Sequence, residues 1–125
     1  MSARSGVVLV VEDERNVREP LAHLLELRDF EVIMAATVEE ALDALHTRRP
    51  DAAIVDMRLR HGCGRDVVTS VPSSVPVIIF SGVHDASEGL ERLRPRTRFI
   101  EKPCSLTWLI NTLADMLAGG NPAAA

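Results

Sequence analysis

The stretch "IVDMRLRHGCG", Ile54 to Gly64, decides the reading of this chain. It follows Ala52 and Ala53, so a short apolar run rich in β-branched residues stops abruptly at Asp56 and gives way to arginines and glycines. A strand apolar on both faces belongs inside a sheet covered on both sides, and such sheets are built from parallel strands. A carboxylate at its end then needs a reason that packing does not supply.

Four other runs have the same character: "VVLVV" (Val7 to Val11), "EVIMAA" (Glu31 to Ala36), "PVIIFS" (Pro76 to Ser81) and "RFIE" (Arg98 to Glu101). Between the five runs lie segments with helical spacing, carried by Val17, Leu21, Leu24 and Leu25; Ala41, Leu42 and Leu45; Val67, Val68 and Val71; Leu90 and Leu93; and Leu106, Leu109, Ile110, Leu113 and Leu117. Thr37 and Glu40 form a capping box at the start of the second helix, and Pro50 stops that helix. Pro20 falls inside the first helix, where it forfeits a backbone hydrogen bond and is expected to bend it. Strict alternation of strand and helix predicts an α/β fold: a doubly wound, flavodoxin-like, five-stranded parallel sheet of order 2-1-3-4-5 flanked by five helices.

Composition sets the limits. The 125 residues, 46% hydrophobic, suit one domain over residues 1–118 with a flexible tail over 119–125. A net charge of −4 and only one dense group of arginines, at 92, 94, 96 and 98 among several glutamates, argue against nucleic-acid binding. That group reads as a solvated face. No apolar run reaches the roughly 18 residues of a membrane span, and "MSARSG" precedes only a five-residue apolar run. Cys63 and Cys104 have no partner at metal spacing, so a reduced, cytoplasmic setting is expected.

In doubly wound sheets functional groups gather beyond the carboxyl ends of the strands. There Asp56 ends the third strand, and Glu12 and Asp13 follow the first, its neighbour in the expected order. Three crowded carboxylates repel unless a cation sits among them, and an all-oxygen set suits Mg²⁺. Capping of the first helix is the competing use for Glu12 and Asp13. Ser81 ends the fourth strand, and Lys102, before Pro103, ends the fifth. Carboxylates, a divalent ion, a hydroxyl and an ammonium together suit phosphoryl transfer onto a carboxylate.

From Val7 to Leu117 the chain resembles the receiver domain of bacterial two-component response regulators, through "VVEDE", "IVDMRL" with Gly64, "VIIFSG" and "FIEKP". The resemblance implies that Asp56 accepts the phosphoryl group and that Asp13, Asp56, Glu12 acting through water, and the backbone carbonyl of Arg58 hold Mg²⁺, for which Mn²⁺ can substitute. It implies that Ser81 and Lys102 contact the phosphoryl group, that the Lys102–Pro103 bond is cis, and that Phe99 is the aromatic switch residue. The implied partners are a sensor histidine kinase or histidine phosphotransfer protein and a downstream protein target, with a homodimer on phosphorylation as a further state. The signalling face would be made by the fourth helix, the fifth strand and the fifth helix, in a stand-alone domain that either binds a target or relays the phosphoryl group. Such a domain catalyses only its own Mg²⁺-dependent phosphorylation and dephosphorylation.

Three other readings compete with this one. A degenerate receiver acting only as an interaction module would not need the intact set of Asp56, Ser81, Lys102 and the acidic pair. A metal-dependent phosphatase with an aspartate nucleophile would want a second acid where Arg58 stands. A nucleotide-binding flavodoxin-like protein would want a glycine-rich loop after the first strand. The chain also departs from the receiver pattern. Arg60 stands where proline is common, Arg58 is placed to overhang the phosphoryl group, and Cys104, expected as a small buried apolar residue, replaces a commonly aromatic or apolar one. Trp108 falls off the apolar stripe of the last helix and is expected on the same face as Phe99, as a contact for a partner or a second copy.

Overall fold

In a computed structural model of the chain, residues 6–60, 62–82, 89 and 94–119 are described. In chain order the elements are β1 (Gly6–Val11), α1 (Arg15–Leu27), β2 (Phe30–Ala35), α2 (Val38–Thr47), β3 (Ala52–Val55), β4 (Arg58–Leu59), β5 (Gly62–Cys63), α3 (Gly64–Ser70), β6 (Val77–Ser81), β7 (Thr97–Glu101) and α4 (Leu106–Leu117). Five strands form a parallel sheet in the order β2-β1-β3-β6-β7, the expected 2-1-3-4-5 once the two-residue strands β4 and β5 are set aside. Those two pair with each other, antiparallel, in the loop that follows Asp56. The helix expected around Leu90 and Leu93 lies outside the described residues, so four of the five expected helices are described.

The period-2 alternation of the strands divides the core into two layers. Leu9, Val11, Ala53, Val55, Val77 and Ile79 pack on one face with Ala41 of α2 and Val67 and Val68 of α3. Val8, Val10, Ala52, Ile54, Ile78 and Phe80 pack on the other with Leu21 and Leu25 of α1 and Leu109, Ile110 and Leu113 of α4. All four residues of β3 and all five of β6 are buried, as strands covered on both faces must be.

Local signals hold in most places. Thr37 caps α2 by accepting the Glu40 N–H, but Glu40 takes the N–H of Ala36 rather than that of Thr37, so the box closes one residue early. α1 runs from Arg15 to Leu27 with Pro20 inside it. Ser105 caps α4 through the Trp108 N–H, a cap not anticipated. No helix among the described residues is long and apolar enough to cross a membrane.

Two expectations are corrected. Arg94 does not belong to a solvated face: it is buried, and its guanidinium donates to the carbonyls of Val71, Pro72 and Val75 and to Thr97 Oγ1 at 2.6–3.1 Å. The loop it fills, "VPSSVP", contains two prolines and is short of N–H donors, so a cation with five donors completes it. Burial lowers the guanidinium pKa, and the four acceptors are the compensation for that desolvation. Cys104 is half-buried rather than fully buried, at the edge of the α1–α4 layer.

Candidate functional site

The register of the sheet brings the strand ends together. Asp56 N–H donates to Val11 O at 2.9 Å, which sets Asp56 beside Glu12, and Lys102 N–H donates to Ser81 O at 3.0 Å, which sets the lysine beside the serine. β3 stops at Val55 and β7 at Glu101, so Asp56 and Lys102 are each the first residue beyond a strand rather than its last. Their side chains are thereby released from the strand's alternation and turn into the mouth. The Lys102–Pro103 peptide is cis, as the resemblance implied.

Ligand oxygens of Glu12, Asp13 and Asp56 lie within 4.8 Å of one another. Glu12 and Asp56 are buried, Asp13 half-buried. Lys102 Nζ sits among them, 2.5 Å from Glu12 Oε1 and 3.1 Å from Asp56 Oδ2, with its cation 5.3 Å from the centroid of the Phe80 ring. Burial pushes the Glu12 carboxyl up to about 7, against the pull of the hydrogen bonds from Lys102 and Glu14. Burial disfavours the Lys102 ammonium too, yet the hydrogen bond and charge of Glu12, with the charge of Asp56, outweigh it and raise its pKa.

Three further contacts hold the acids in place. Glu12 Oε2 accepts the Glu14 N–H at 3.2 Å. Asp56 Oδ1 accepts the Arg58 N–H at 3.1 Å, and Asp13 Oδ2 accepts the Arg60 N–H at 3.0 Å. Asp13 therefore does not cap α1: the N-cap is Glu14, without a side-chain cap bond. Arg18 reaches back from α1 and donates to the carbonyls of Glu12 and Asp13 at 2.8 and 3.2 Å, clamping the acidic turn from behind.

Gly64 closes the loop on the other side. Its N–H donates to Met57 O at 2.9 Å, and a Cβ on it would lie 2.1 Å from the carbonyl oxygen of Asp56. Only glycine lets α3 start so near the Asp56 backbone. The resulting open cleft, about 600 Å³, is lined by Asp13, Glu14, Asp56, Arg58, Arg60, Ser81 and Lys102, among others. Ser81 is fully buried at its floor.

Asp13, Asp56, Ser81 and Lys102 thus line one cleft, and Glu12 is buried behind it, joined to it through Lys102. Arg18, Glu14 and the backbone of Arg60 were not foreseen as parts of it, since nothing in their local sequence distinguishes them from ordinary helix and loop residues. Phe99 and Trp108 lie at the β7 edge of the sheet, on its two opposite sides. Phe99 packs against the α2–α3 layer, whereas Trp108, half exposed on α4, has the guanidinium of Arg98 5.9 Å from its ring centroid. Arg98 and Phe99 are successive residues of β7 and point to opposite sides of the sheet, so Trp108 meets the former and not the latter.

The donor set is three carboxylates, oxygen only, converging on one point, and hard divalent ions of the Mg²⁺ type take such ligands. A doubly wound α/β domain with a carboxylate–lysine mouth at its strand ends is the arrangement that the resemblance to receiver domains implies. The model of the response regulator receiver domain matches residues 8–114, and the chain belongs to that family. The response regulator MprA of Mycobacterium sp. (strain KMS) is 29% identical over 119 residues, covering 92% of this chain and 52% of that protein. The chain thus spans about half the length of the curated relatives it matches. The receiver domain of the hybrid histidine kinase CckA superposes with a TM-score of 0.75 at 29% identity, over 90% of this chain and 99% of that one. The non-phosphorylated receiver domain of HemR from Leptospira biflexa gives 0.77 at 26%, over 93% and 97%. Membership makes the domain part of phosphorylation-controlled signalling, and a signalling domain rather than a conventional enzyme.

Proposed function

We propose that the domain is a switch set by phosphorylation of Asp56. The observation that carries this reading is the convergence of Glu12, Asp13 and Asp56 on a single point with Lys102 hydrogen-bonded between two of them. Asp13 and Asp56, the Arg58 carbonyl, and Glu12 through water would hold Mg²⁺ or Mn²⁺. The ion, when bound, offsets the negative charge of the acids and of the incoming phosphoryl group.

The remaining work falls to the chain. An oxygen of Asp56 attacks phosphorus, forming a P–O bond as the P–N bond of a phosphohistidine breaks, and the departing imidazole recovers a proton. The product is an acyl phosphate on Asp56. Lys102 then exchanges its carboxylate contact for a phosphoryl oxygen, and the Ser81 hydroxyl donates to another. The phosphodonor would be a sensor histidine kinase or a phosphotransfer protein, in the cytoplasm. The readout would be a downstream protein or a second copy of the chain, engaged at the β7–α4 edge where Phe99 and Trp108 flank the outermost strand from its two sides.

Acetyl phosphate and Mg²⁺ followed by intact-mass measurement tests the reading. One phosphoryl group should be added to the wild type and none to Asp56→Asn or in the presence of chelator. Equal labelling of Asp56→Asn would remove Asp56 from the role.

A further inference from the structure

The three acids are not vacant ligands. Lys102 occupies Glu12 and Asp56, and Asp13 is held separately by Arg60, whose N–H donates to Oδ2 at 3.0 Å and whose guanidinium Nε stands 3.9 Å from the same atom. We propose that Arg60 is a competitor for the metal, lowering the affinity of the acidic mouth for Mg²⁺ by holding the Asp13 carboxylate on its own N–H and guanidinium. The inference rests on the reading of that mouth as a divalent-ion site.

Two features of Arg60 act on Asp13, and they differ in strength. The guanidinium is 77% exposed, so its repulsion of an incoming cation is largely screened. The N–H is fixed by the backbone. Arg60 follows directly on the β4–β5 ladder, in which Arg58 pairs with Cys63 and Leu59 with Gly62. Leu59 is buried in the α2–α3 layer, so the ladder cannot swing away from Asp13 without exposing it. Mg²⁺ demands near-ideal octahedral geometry and tolerates little displacement of its ligands. For Asp13 to turn toward the ion it has to weaken or give up a charge-assisted hydrogen bond to a donor that cannot follow.

Substitution separates the two contributions. Arg60→Ala removes the guanidinium and keeps the N–H, while Arg60→Pro removes both. Proline is admissible here because Arg60 contributes no ladder bond and the preceding Leu59 is already extended. Mg²⁺ titrated calorimetrically into the whole chain should bind about twofold more tightly to Arg60→Ala, as an exposed charge warrants, and about tenfold more tightly to Arg60→Pro, as a charge-assisted bond warrants. In the wild type, the Arg60 amide resonance should move with the same midpoint as the binding isotherm, a measurement that needs no variant to fold. Equal affinity in all three chains, weaker binding by Arg60→Pro, or an amide that ignores saturating Mg²⁺ would each overturn the inference. Absence of binding by the wild type and by both variants would overturn the metal reading itself.

Discussion

Lys102 Nζ and Glu12 Oε1 are 2.5 Å apart, across 90 residues of sequence, in a pair of which the carboxylate is almost wholly buried. Each group would be unfavourable there without the other. The pair joins the end of β7 to the end of β1 above the intervening strands, so it ties the mouth of the sheet together.

Removing the cation alone should therefore destabilise the fold. Lys102→Met leaves Glu12 facing Asp56 with no positive charge between them, and a loss of roughly 2 kcal/mol in urea unfolding is expected, below the full value of a buried pair because Lys102 is partly solvated. Glu12→Gln added to Lys102→Met should recover at least half of that loss. Additive losses in the double variant would show that the two side chains do not act as a pair.

Gly64→Ala is expected to be among the most damaging single-methyl additions in the chain. The added carbon meets the Asp56 carbonyl oxygen at 2.1 Å, a backbone atom that can move only with β3 or α3. Overpacking of this kind costs about 1–3 kcal/mol or more. Thermal unfolding should fall by several degrees, and acetyl phosphate labelling should slow as Asp56 is displaced; an unaltered melting temperature would contradict the close approach.

Arg94→Met should cost about 3 kcal/mol, since it leaves the carbonyls of Val71 and Val75 without the guanidinium they share. Arg94→Lys should recover little, because a single ammonium cannot reach acceptors spread along the loop and across to Thr97. Chemical denaturation of both variants measures this, and full stability of the lysine form would count against the fork geometry.

Trp108→Ala should change stability by less than about 1 kcal/mol, as an exposed stacked cation warrants. If the β7–α4 edge is the output face, the same variant should keep its Asp56 labelling and lose partner binding or self-association by about 2 kcal/mol or more. Wild-type tryptophan fluorescence should respond to beryllofluoride with Mg²⁺. A variant that binds as the wild type does would leave Trp108 a surface residue.

The sheet and its mouth were legible because the signals are local and repeated. Four of the five runs end at a polar group, the second ending in alanines, and Asp56, Ser81 and Lys102 announce themselves by standing where packing wants another valine. Parity adds a detail that the edge face alone does not give: Arg98, not Phe99, has the strand parity of Ile100 and hence faces α4, so Phe99 and Trp108 reach the β7 edge from opposite sides of the sheet. Arg94 was misjudged because charge patterning treats arginines at every second position as solvent-facing. The need for a buried guanidinium lies in the donor-poor proline loop 71–76, 18 to 23 residues upstream. Arg18 was not foreseen because a contact from a helix to backbone carbonyls leaves no trace in residue type.

The β4–β5 ladder has a consequence for any attempt to transplant this chemistry. Gly62 adopts φ +133°, and a Cβ there would lie 2.8 Å from Val38 Cγ2, so the turn nests against the first residue of α2 while Gly64 abuts Asp56. Asp56 is one corner of a nine-residue cassette, 56–64, whose length is dictated at both ends. A host scaffold given the aspartate alone would inherit a carboxylate without its frame; one given the whole cassette would also need a notch in its second helix to receive the turn.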